Sequence, residues 1–229
     1  MFLKRSALWV VLVAAAFLSA CSSPAALLLS LIPDGTFATL LNNMQDVDSP
    51  STKKLAELGQ KEDWNGIAAL AQENLSRDPT NSDWWVISGY AAIRLNQLPR
   101  ANQAFAEAVR LSPDDIDAWN LLGESYRVMG QPDRAVRTLE NALRVSQDSP
   151  MTYYVMGRSF HDLKRPDRAM PYFEQTVQRA PQFGEGWYAY GQTALSLGRR
   201  LEYARAVQAL QPLDPAAAQR LAAMEAGAK

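Results

Sequence analysis

Apolar and small residues recur along this chain with a period of 34 residues. Glycines keep that spacing, and an aromatic residue lies four positions before each of them. The glycines are Gly89, Gly123, Gly157 and Gly191, and the aromatic residues are Trp85, Trp119, Tyr153 and Trp187. A period of this length is typical of stacked supersecondary units, none of which can bury its apolar face alone.

The second half of each period carries a small residue followed by a large one. The small residues are Ala101, Ala135 and Ala169, and the large ones, four positions later, are Phe105, Leu139 and Phe173. We interpret each unit as two antiparallel helices, A and B. Glycine on helix A and alanine on helix B would allow the backbones to approach, while the large residues fill the gap beside that contact. Prolines open the predicted B helices at Pro99, Pro132 and Pro166, where a missing N–H costs little.

Four of these units are clear and one is degenerate. The clear units begin near Ser82, Ile116, Pro150 and Gly184. One period earlier, from about Asp48, Ile67 and Ala71 continue the helix B pattern, but Leu55 replaces the glycine and Ser51 the aromatic residue. Terminal repeats are often atypical because one side faces solvent. After Pro215, the run AAAQRLAAMEA predicts a short capping helix with Leu221 and Met224 on one face.

One unit carries a recognisable signature, in which an aromatic residue, Leu-Gly, Tyr, Ala and a large apolar residue follow at fixed spacing. Its residues are Trp119, Leu122, Gly123, Tyr126, Ala135 and Leu139. The chain therefore resembles the tetratricopeptide repeat (TPR) family. The resemblance implies an all-α, TPR-type helix-turn-helix solenoid over residues 48–215, followed by a capping helix and tail over residues 216–229. It also implies a binding surface rather than a catalyst.

The amino terminus predicts export. Lys4 and Arg5 precede an apolar stretch from Ala7 to Phe17, so residues 1–20 form a predicted secretory signal peptide. The following Leu18-Ser19-Ala20-Cys21 resembles a bacterial lipobox, which implies diacylglycerol on the Cys21 thiol and cleavage before that residue. An ordinary signal peptide or an uncleaved anchor is disfavoured, because Cys21 ends the apolar stretch and is the only cysteine in the chain.

Several acyl chains on Cys21 would hold the protein firmly, since each buried methylene contributes about 0.8 kcal/mol. Ser22, rather than Asp, follows the cysteine. By family resemblance this favours the periplasmic face of the outer membrane, with an inner-membrane lipoprotein as the alternative.

Residues 21–47 connect the predicted anchor to the repeats. The apolar stretch from Pro24 to Ile32 is too short to span a bilayer. Phe37, Leu40, Leu41 and Met44 recur at helical spacing. This segment could lie in the headgroup layer or cover the degenerate first repeat. We favour the second interpretation for Phe37 to Met44 and leave Pro24 to Ile32 open.

Composition narrows the classes of function. The full chain has a net charge of −1, and loss of Lys4 and Arg5 would make it −3, which disfavours nucleic acid as a partner. His161 is the only histidine, so neither a His-pair metal site nor a conventional Ser–His arrangement is predicted. We expect no enzyme activity, no metal and no cofactor apart from the covalent lipid on Cys21.

The TPR resemblance implies a groove lined by helix A residues one, five and eight positions after each aromatic residue. Carried onto this chain, those positions hold Val86, Tyr90, Ile93, Asn120, Glu124, Arg127, Tyr154, Arg158, His161, Tyr188, Gln192 and Leu195. Such a surface suits an extended peptide or a partner helix. For Tyr154 and Tyr188, packing between adjacent repeats is an equally good interpretation.

The combined patterns predict a lipid-anchored periplasmic scaffold whose concave groove binds envelope proteins or peptide segments. TPR lipoproteins of this size resemble those that serve type IV or tight-adherence (Flp) pilus and secretion machines. The alternative is an adaptor that gathers peptidoglycan hydrolases or proteases at the envelope. A helical-repeat enzyme is a third, less favoured hypothesis, and the sequence leaves the oligomeric state open.

Overall fold

The computed structural model describes Met44 and residues 49–227, and every regular element within that range is an α-helix. The helices are α1 (Pro50–Gln60), α2 (Trp64–Arg77), α3 (Ser82–Arg94), α4 (Leu98–Leu111), α5 (Ile116–Val128), α6 (Pro132–Val145), α7 (Pro150–Asp162), α8 (Pro166–Arg179), α9 (Gly184–Ser196), α10 (Arg200–Leu213) and α11 (Pro215–Gly227). Within the described range, none of them is long and apolar enough to cross a membrane.

Successive helices form five A/B pairs, of which α1 and α2 are the degenerate repeat, and α11 follows as a single capping helix. This confirms the predicted all-α class with four clear repeats, one degenerate repeat and a cap. The chain divides into two compact units between Ser112 and Pro113. The first unit holds α1 to α4, and the second holds α5 to α11.

The recurring glycines make room for a side chain of helix B. A Cβ atom built on Gly89 would lie 2.5 Å from the ring of Phe105, and one on Gly157 would lie 2.6 Å from the ring of Phe173. Real Cβ atoms essentially never approach that closely. In these repeats the large residue expected beside the glycine lies directly on it.

The capping helix completes the last repeat. Gly191 on α9 is covered by Leu221 of α11 and by Ala206 of α10. Leu221 is fully buried, and its carbonyl oxygen accepts a hydrogen bond from the Tyr203 hydroxyl at 3.2 Å. Met224 is 42% exposed, so only one of the two predicted apolar cap residues belongs to the core.

In three of the four clear repeats the aromatic residue holds the turn that precedes it. The indole N–H groups of Trp85, Trp119 and Trp187 each donate a 2.9 Å hydrogen bond to the carbonyl of the proline six residues earlier. Tyr153 has no indole N–H. There the carbonyl of Gln147, again six residues earlier, accepts a 3.1 Å bond from Nε of Arg179, whose guanidinium lies 4.5 Å above the Tyr153 ring. Arg179 therefore supplies the donor that tyrosine lacks.

The turn from helix A to helix B has one backbone conformation in every repeat, including the degenerate one. A single residue adopts positive φ at intervals of 34 positions, and these residues are Glu62, Asn96, Gly130, Lys164 and Gly198. The next N–H in each turn bonds back to a carbonyl five residues earlier, as in Gln131 N–H to the Tyr126 carbonyl at 2.9 Å. This is the Schellman helix ending, which glycine suits best because it has no Cβ.

Replacing Lys164 with glycine should therefore raise the free energy of unfolding by about 0.5–1 kcal/mol. Lys164 has a φ of 59°, a conformation that costs a residue with a Cβ about 1–2 kcal/mol. The matched change is Gly130→Ala, which should lower stability by about 1 kcal/mol, because a Cβ there meets nothing within 4 Å and only the backbone is affected. Urea unfolding followed by circular dichroism measures both, and a less stable Lys164→Gly protein would contradict the prediction.

Most of the predicted amino-terminal features lie outside the described residues. These are the signal peptide over residues 1–20, the lipid site Cys21, and the apolar residues up to 43. Met44 is described and is buried in the core of the first unit with Leu55, Leu75 and Trp84. That position agrees with a segment covering the first repeat, whereas Phe37, Leu40 and Leu41 lie outside the described residues.

Candidate functional site

In the first unit, the predicted groove positions belong to the core. Val86, Tyr90 and Ile93 lie on α3 and are all buried. The Tyr90 ring centroid is 5.9 Å from that of Trp64, at the start of α2. None of the three side chains is open to a partner, so their assignment to an accessible groove is corrected. Residues on helix A are covered when a neighbouring element packs on the same side.

In the second unit, Asn120 joins one repeat to the next. The hydroxyl of Thr152 donates a 2.7 Å hydrogen bond to the Asn120 side-chain oxygen, and Nδ2 of Asn120 donates a 3.3 Å bond to the Ser149 hydroxyl. Ser149 also caps α7 by accepting a bond from the Thr152 backbone N–H. Buried polar groups that are bonded to one another fix a unique arrangement. Asn120 therefore holds α5 against α7 and is not available to a partner.

Two further predicted groove residues, Glu124 and Arg127, form a buried ion pair on α5. Nε and Nη2 of Arg127 donate hydrogen bonds of 2.7 and 2.6 Å to the two oxygens of Glu124. Nη1 of Arg127 reaches Asp162, at the end of α7, at 2.6 Å. The Arg127 and Glu124 side chains are 6% and 4% exposed, whereas Asp162 is 38% exposed. This cluster connects two repeats.

Burial alone would lower the pKa of Arg127, since it disfavours the charged form. The hydrogen bonds and charge of Glu124, followed by those of Asp162, outweigh burial and raise the pKa above its usual value. Arg127 is therefore a permanent cation that is already fully engaged. It belongs to the structure of the second unit, and its assignment to an accessible groove is corrected.

Tyr154 on α7 packs between repeats, which was one of its two predicted roles. Its ring lies edge-on to Phe183 with centroids 4.9 Å apart, and it also approaches Phe173 at 6.1 Å. Burial raises the pKa of its hydroxyl. Phe183 is the residue before α9, where the preceding A helices begin after the capping side chains Asn81, Asp115 and Ser149. Phe183 makes no side-chain cap hydrogen bond, and its ring packs on Tyr154 instead.

Five of the twelve predicted positions remain accessible, and all lie on α7 and α9 of the second unit. We call them the open face: Arg158, His161, Tyr188, Gln192 and Leu195. Arg158 is half-buried, with its guanidinium 5.7 Å above the Tyr154 ring and 3.9 Å from a Glu124 oxygen. His161 is exposed to solvent. The accessible predicted positions of the second unit therefore include hydrogen-bond donors on α7 and an aromatic side chain on α9.

The capping helix borders this open face. The Tyr188 hydroxyl lies 3.8 Å from the Met224 sulfur, and the Gln192 amide nitrogen lies 3.6 Å from it. Arg220 places its guanidinium 5.6 Å above the Tyr188 ring. Met224 and Arg220 lie outside the predicted groove set, because they stand one period after Tyr190 and Gly186, which are not groove positions. The edge of the open face is thus a thioether and a guanidinium from α11.

Family models decide what these repeats are. One model described as a tetratricopeptide repeat matches residues 92–157, and a second with the same description matches residues 66–116 and 154–220. The second alone matches more than half of the chain. The protein belongs to the tetratricopeptide repeat family. No curated protein matches this TPR chain in sequence.

Solved structures agree with this TPR fold. A crystal structure of MamA superimposes with a TM-score of 0.61 and 20% identity, covering 78% of this chain and 98% of its own. The TPR protein TTC0263 from Thermus thermophilus gives a TM-score of 0.58 at 20% identity, with coverages of 74% and 94%. YrrB gives 0.59 at 16% identity, with coverages of 80% and 96%. At these identities the likeness shows the fold alone.

Proposed function

We propose that this TPR protein is a lipid-anchored scaffold that holds a polypeptide partner on the open face of its second unit. The observation that carries the proposal is that Arg158 on α7 and Tyr188 and Gln192 on α9, all at predicted groove positions, keep partly accessible side chains. Aromatic residues and arginine supply most of the energy at protein interfaces. The YrrB neighbour, which is described as a TPR protein with an unusual peptide-binding site, supports a polypeptide as the ligand.

The proposal includes the compartment. The lipobox-like Leu18-Ser19-Ala20-Cys21 supports a diacylglyceryl anchor on Cys21, and Ser22 supports the outer membrane. A protein held at the periplasmic face would meet envelope proteins, and we propose assembly of a type IV or tight-adherence pilus, or of a secretion machine, as its task. Its role is that of a scaffold and not of an enzyme.

Affinity capture from detergent-solubilised envelopes tests the open face. With the full chain as bait, the double change Arg158→Gln and Tyr188→Ala should lower recovery of the bound partner about tenfold or more, because truncating a central interface residue costs about 2 kcal/mol. We choose Tyr188 over Tyr154, because Tyr154 is buried and its loss would also unfold the repeat. Quantitative mass spectrometry of the eluate provides the measurement.

The matched control is Arg137→Gln with Leu201→Ala, which changes an arginine in the same way and truncates a large apolar side chain, both at exposed positions of α6 and α10. It should capture as much partner as the wild type. Pilus or secretion subunits in the eluate support the proposed task, whereas cell-wall hydrolases support the adaptor alternative. If the Arg158→Gln and Tyr188→Ala variant captures as much partner as the wild type, the open face is not the binding site.

A Cys21→Ser variant tests the lipid anchor. It lacks the predicted lipid site and should therefore be recovered outside the membrane fraction.

A further inference from the structure

A cleft of about 520 Å³ lies in the first unit between the B helices α2 and α4, with α3 as its floor. It is separate from the open face, and its volume is typical of ligand pockets, which range over about 300–1,000 Å³. Ser88 and Ala92 of α3 form part of the floor, and Ala104 of α4 forms part of a wall. Small side chains leave this space open.

Comparison with the other repeats shows which side chains are missing. One period after Ser88 and Ala92 stand Leu122 and Tyr126, the leucine and tyrosine of the repeat signature. Two periods after Ala92 and Ala104 stand Phe160 and Tyr172, whose rings stack with centroids 5.3 Å apart. The cleft therefore occupies the place that an aromatic side chain fills in the next two repeats, whereas the last repeat carries Ala194 at this position.

The groups that hold this aromatic ring are nevertheless present around the cleft. In the next repeat, Nη1 of Arg134 donates a 2.8 Å hydrogen bond to Gln131, its Nη2 donates a 2.9 Å bond to the Tyr126 hydroxyl, and its guanidinium lies 4.2 Å above the Tyr126 ring. In the cleft, Arg100 makes the equivalent bond to Gln97 at 3.0 Å. Ala92 stands where the tyrosine would be. The arginine–glutamine pair that contacts the ring is therefore retained, whereas the aromatic ring is absent.

We propose that this cleft binds a tyrosine side chain presented by a separate partner polypeptide. The tyrosine ring would lie over Ala92 beneath the Arg100 guanidinium, and its hydroxyl would accept a hydrogen bond from Nη2, as the Tyr126 hydroxyl does from Arg134. A guanidinium over an aromatic face is attractive, and more so when water is excluded. Trp85, which also lines the cleft, adds a second aromatic surface beside the ring.

The sequence excludes the chain's own terminal segments as the source of that tyrosine. All of its tyrosines lie between Tyr90 and Tyr203, and each of them is part of a described helix. Residues 1–48 and 228–229 contain none. We therefore assign the tyrosine to a separate polypeptide, and a second copy of this chain is the competing source that the experiment tests.

Methyl-labelled full chain in detergent, titrated with N-acetyltyrosinamide and with N-acetylleucinamide, tests the proposal by NMR. The tyrosine compound should shift the Ala104 methyl signal saturably, with a dissociation constant of about 1 mM, as expected for so small a ligand. The leucine compound should not. Equal shifts from both compounds, or no saturable shift, would overturn the proposal.

Two variants keep the test decisive. The double change Ser88→Leu and Ala92→Tyr restores the side chains of the next repeat, so it should abolish the shift and raise the melting temperature. Arg100→Ala leaves the cleft open and should weaken binding about fivefold or more through loss of the cation–π contact and the hydrogen bond. The matched Arg134→Ala change should leave binding unaltered. If the wild type forms a dimer and the Ser88→Leu and Ala92→Tyr variant is a monomer, a second copy of this chain occupies the cleft. That result would overturn the proposal of a separate partner.

Discussion

Replacing Arg127 with methionine should lower the free energy of unfolding by about 3–5 kcal/mol, the cost of breaking a buried ion pair by removing one partner. Glu124, whose side chain is 4% exposed, would lose both of its short hydrogen bonds to Arg127. The nearest remaining cation is Arg158, 3.9 Å from a Glu124 oxygen, which is too far for a hydrogen bond. The uncompensated carboxylate causes most of the loss, and urea unfolding followed by circular dichroism measures it.

The matched control removes both buried charges together. Glu124→Leu with Arg127→Met leaves Asp162 without Arg127 and Arg158 without Glu124, and both of these charges keep some access to water because their side chains are 38% and 20% exposed. Replacing a buried ion pair with apolar residues of similar size is often neutral or stabilising. The double variant should therefore be more stable than Arg127→Met alone. A single variant within about 1 kcal/mol of the wild type would show that the ion pair contributes little. A double variant that is no more stable than Arg127→Met would show that the unpaired Glu124 carboxylate does not cause the loss.

The fold followed from the sequence because its signals repeat. Gly89, Gly123 and Gly157 must be small, since each lies against Phe105 or its counterpart on helix B, and Gly191 must be small because Leu221 and Ala206 cover it. A side chain at any of them would force the helices apart. The positive φ in the turn from helix A to helix B also recurs with the repeat. Asn96, Gly130 and Gly198 are residues that favour positive φ, and their common spacing would have predicted it. Glu62 and Lys164 adopt the same conformation against their own preference, so only the repeat predicts them.

The site was harder to predict, because sequence spacing gives the direction of a side chain but not what covers it. Glu124 and Arg158 occupy equivalent positions on successive A helices, yet Glu124 is buried in its ion pair with Arg127, whereas Arg158 is half-buried. The partner of Arg127 on the next repeat, Asp162, lies outside the predicted groove set. Ion pairs between repeats depend on side-chain reach across a helix contact, which a one-dimensional pattern does not contain.

Truncating Phe173 to alanine should lower the free energy of unfolding by about 3–5 kcal/mol. Its ring is 1% exposed, covers Gly157 and approaches Tyr154, so its removal leaves a cavity inside the second unit. Phe173→Leu is the matched control, because leucine occupies this position one repeat earlier as Leu139, also fully buried. It should cost less than about 1.5 kcal/mol, as hydrophobic exchanges of similar volume do. Urea midpoints of the two variants give the comparison.

The contact between Gly157 and Phe173 predicts that Gly157→Ala lowers stability in the wild type but raises it in the Phe173→Ala variant. In the wild type, the new Cβ would lie 2.6 Å from the Phe173 ring, and overpacking of this kind costs about 1–3 kcal/mol. In the Phe173→Ala background the ring is gone, so the methyl group enters the cavity and the helix gains the roughly 1 kcal/mol by which alanine exceeds glycine. The double-mutant cycle should therefore be strongly non-additive. Effects that add to within about 0.5 kcal/mol would mean that glycine recurs in this family for a reason other than room for the ring.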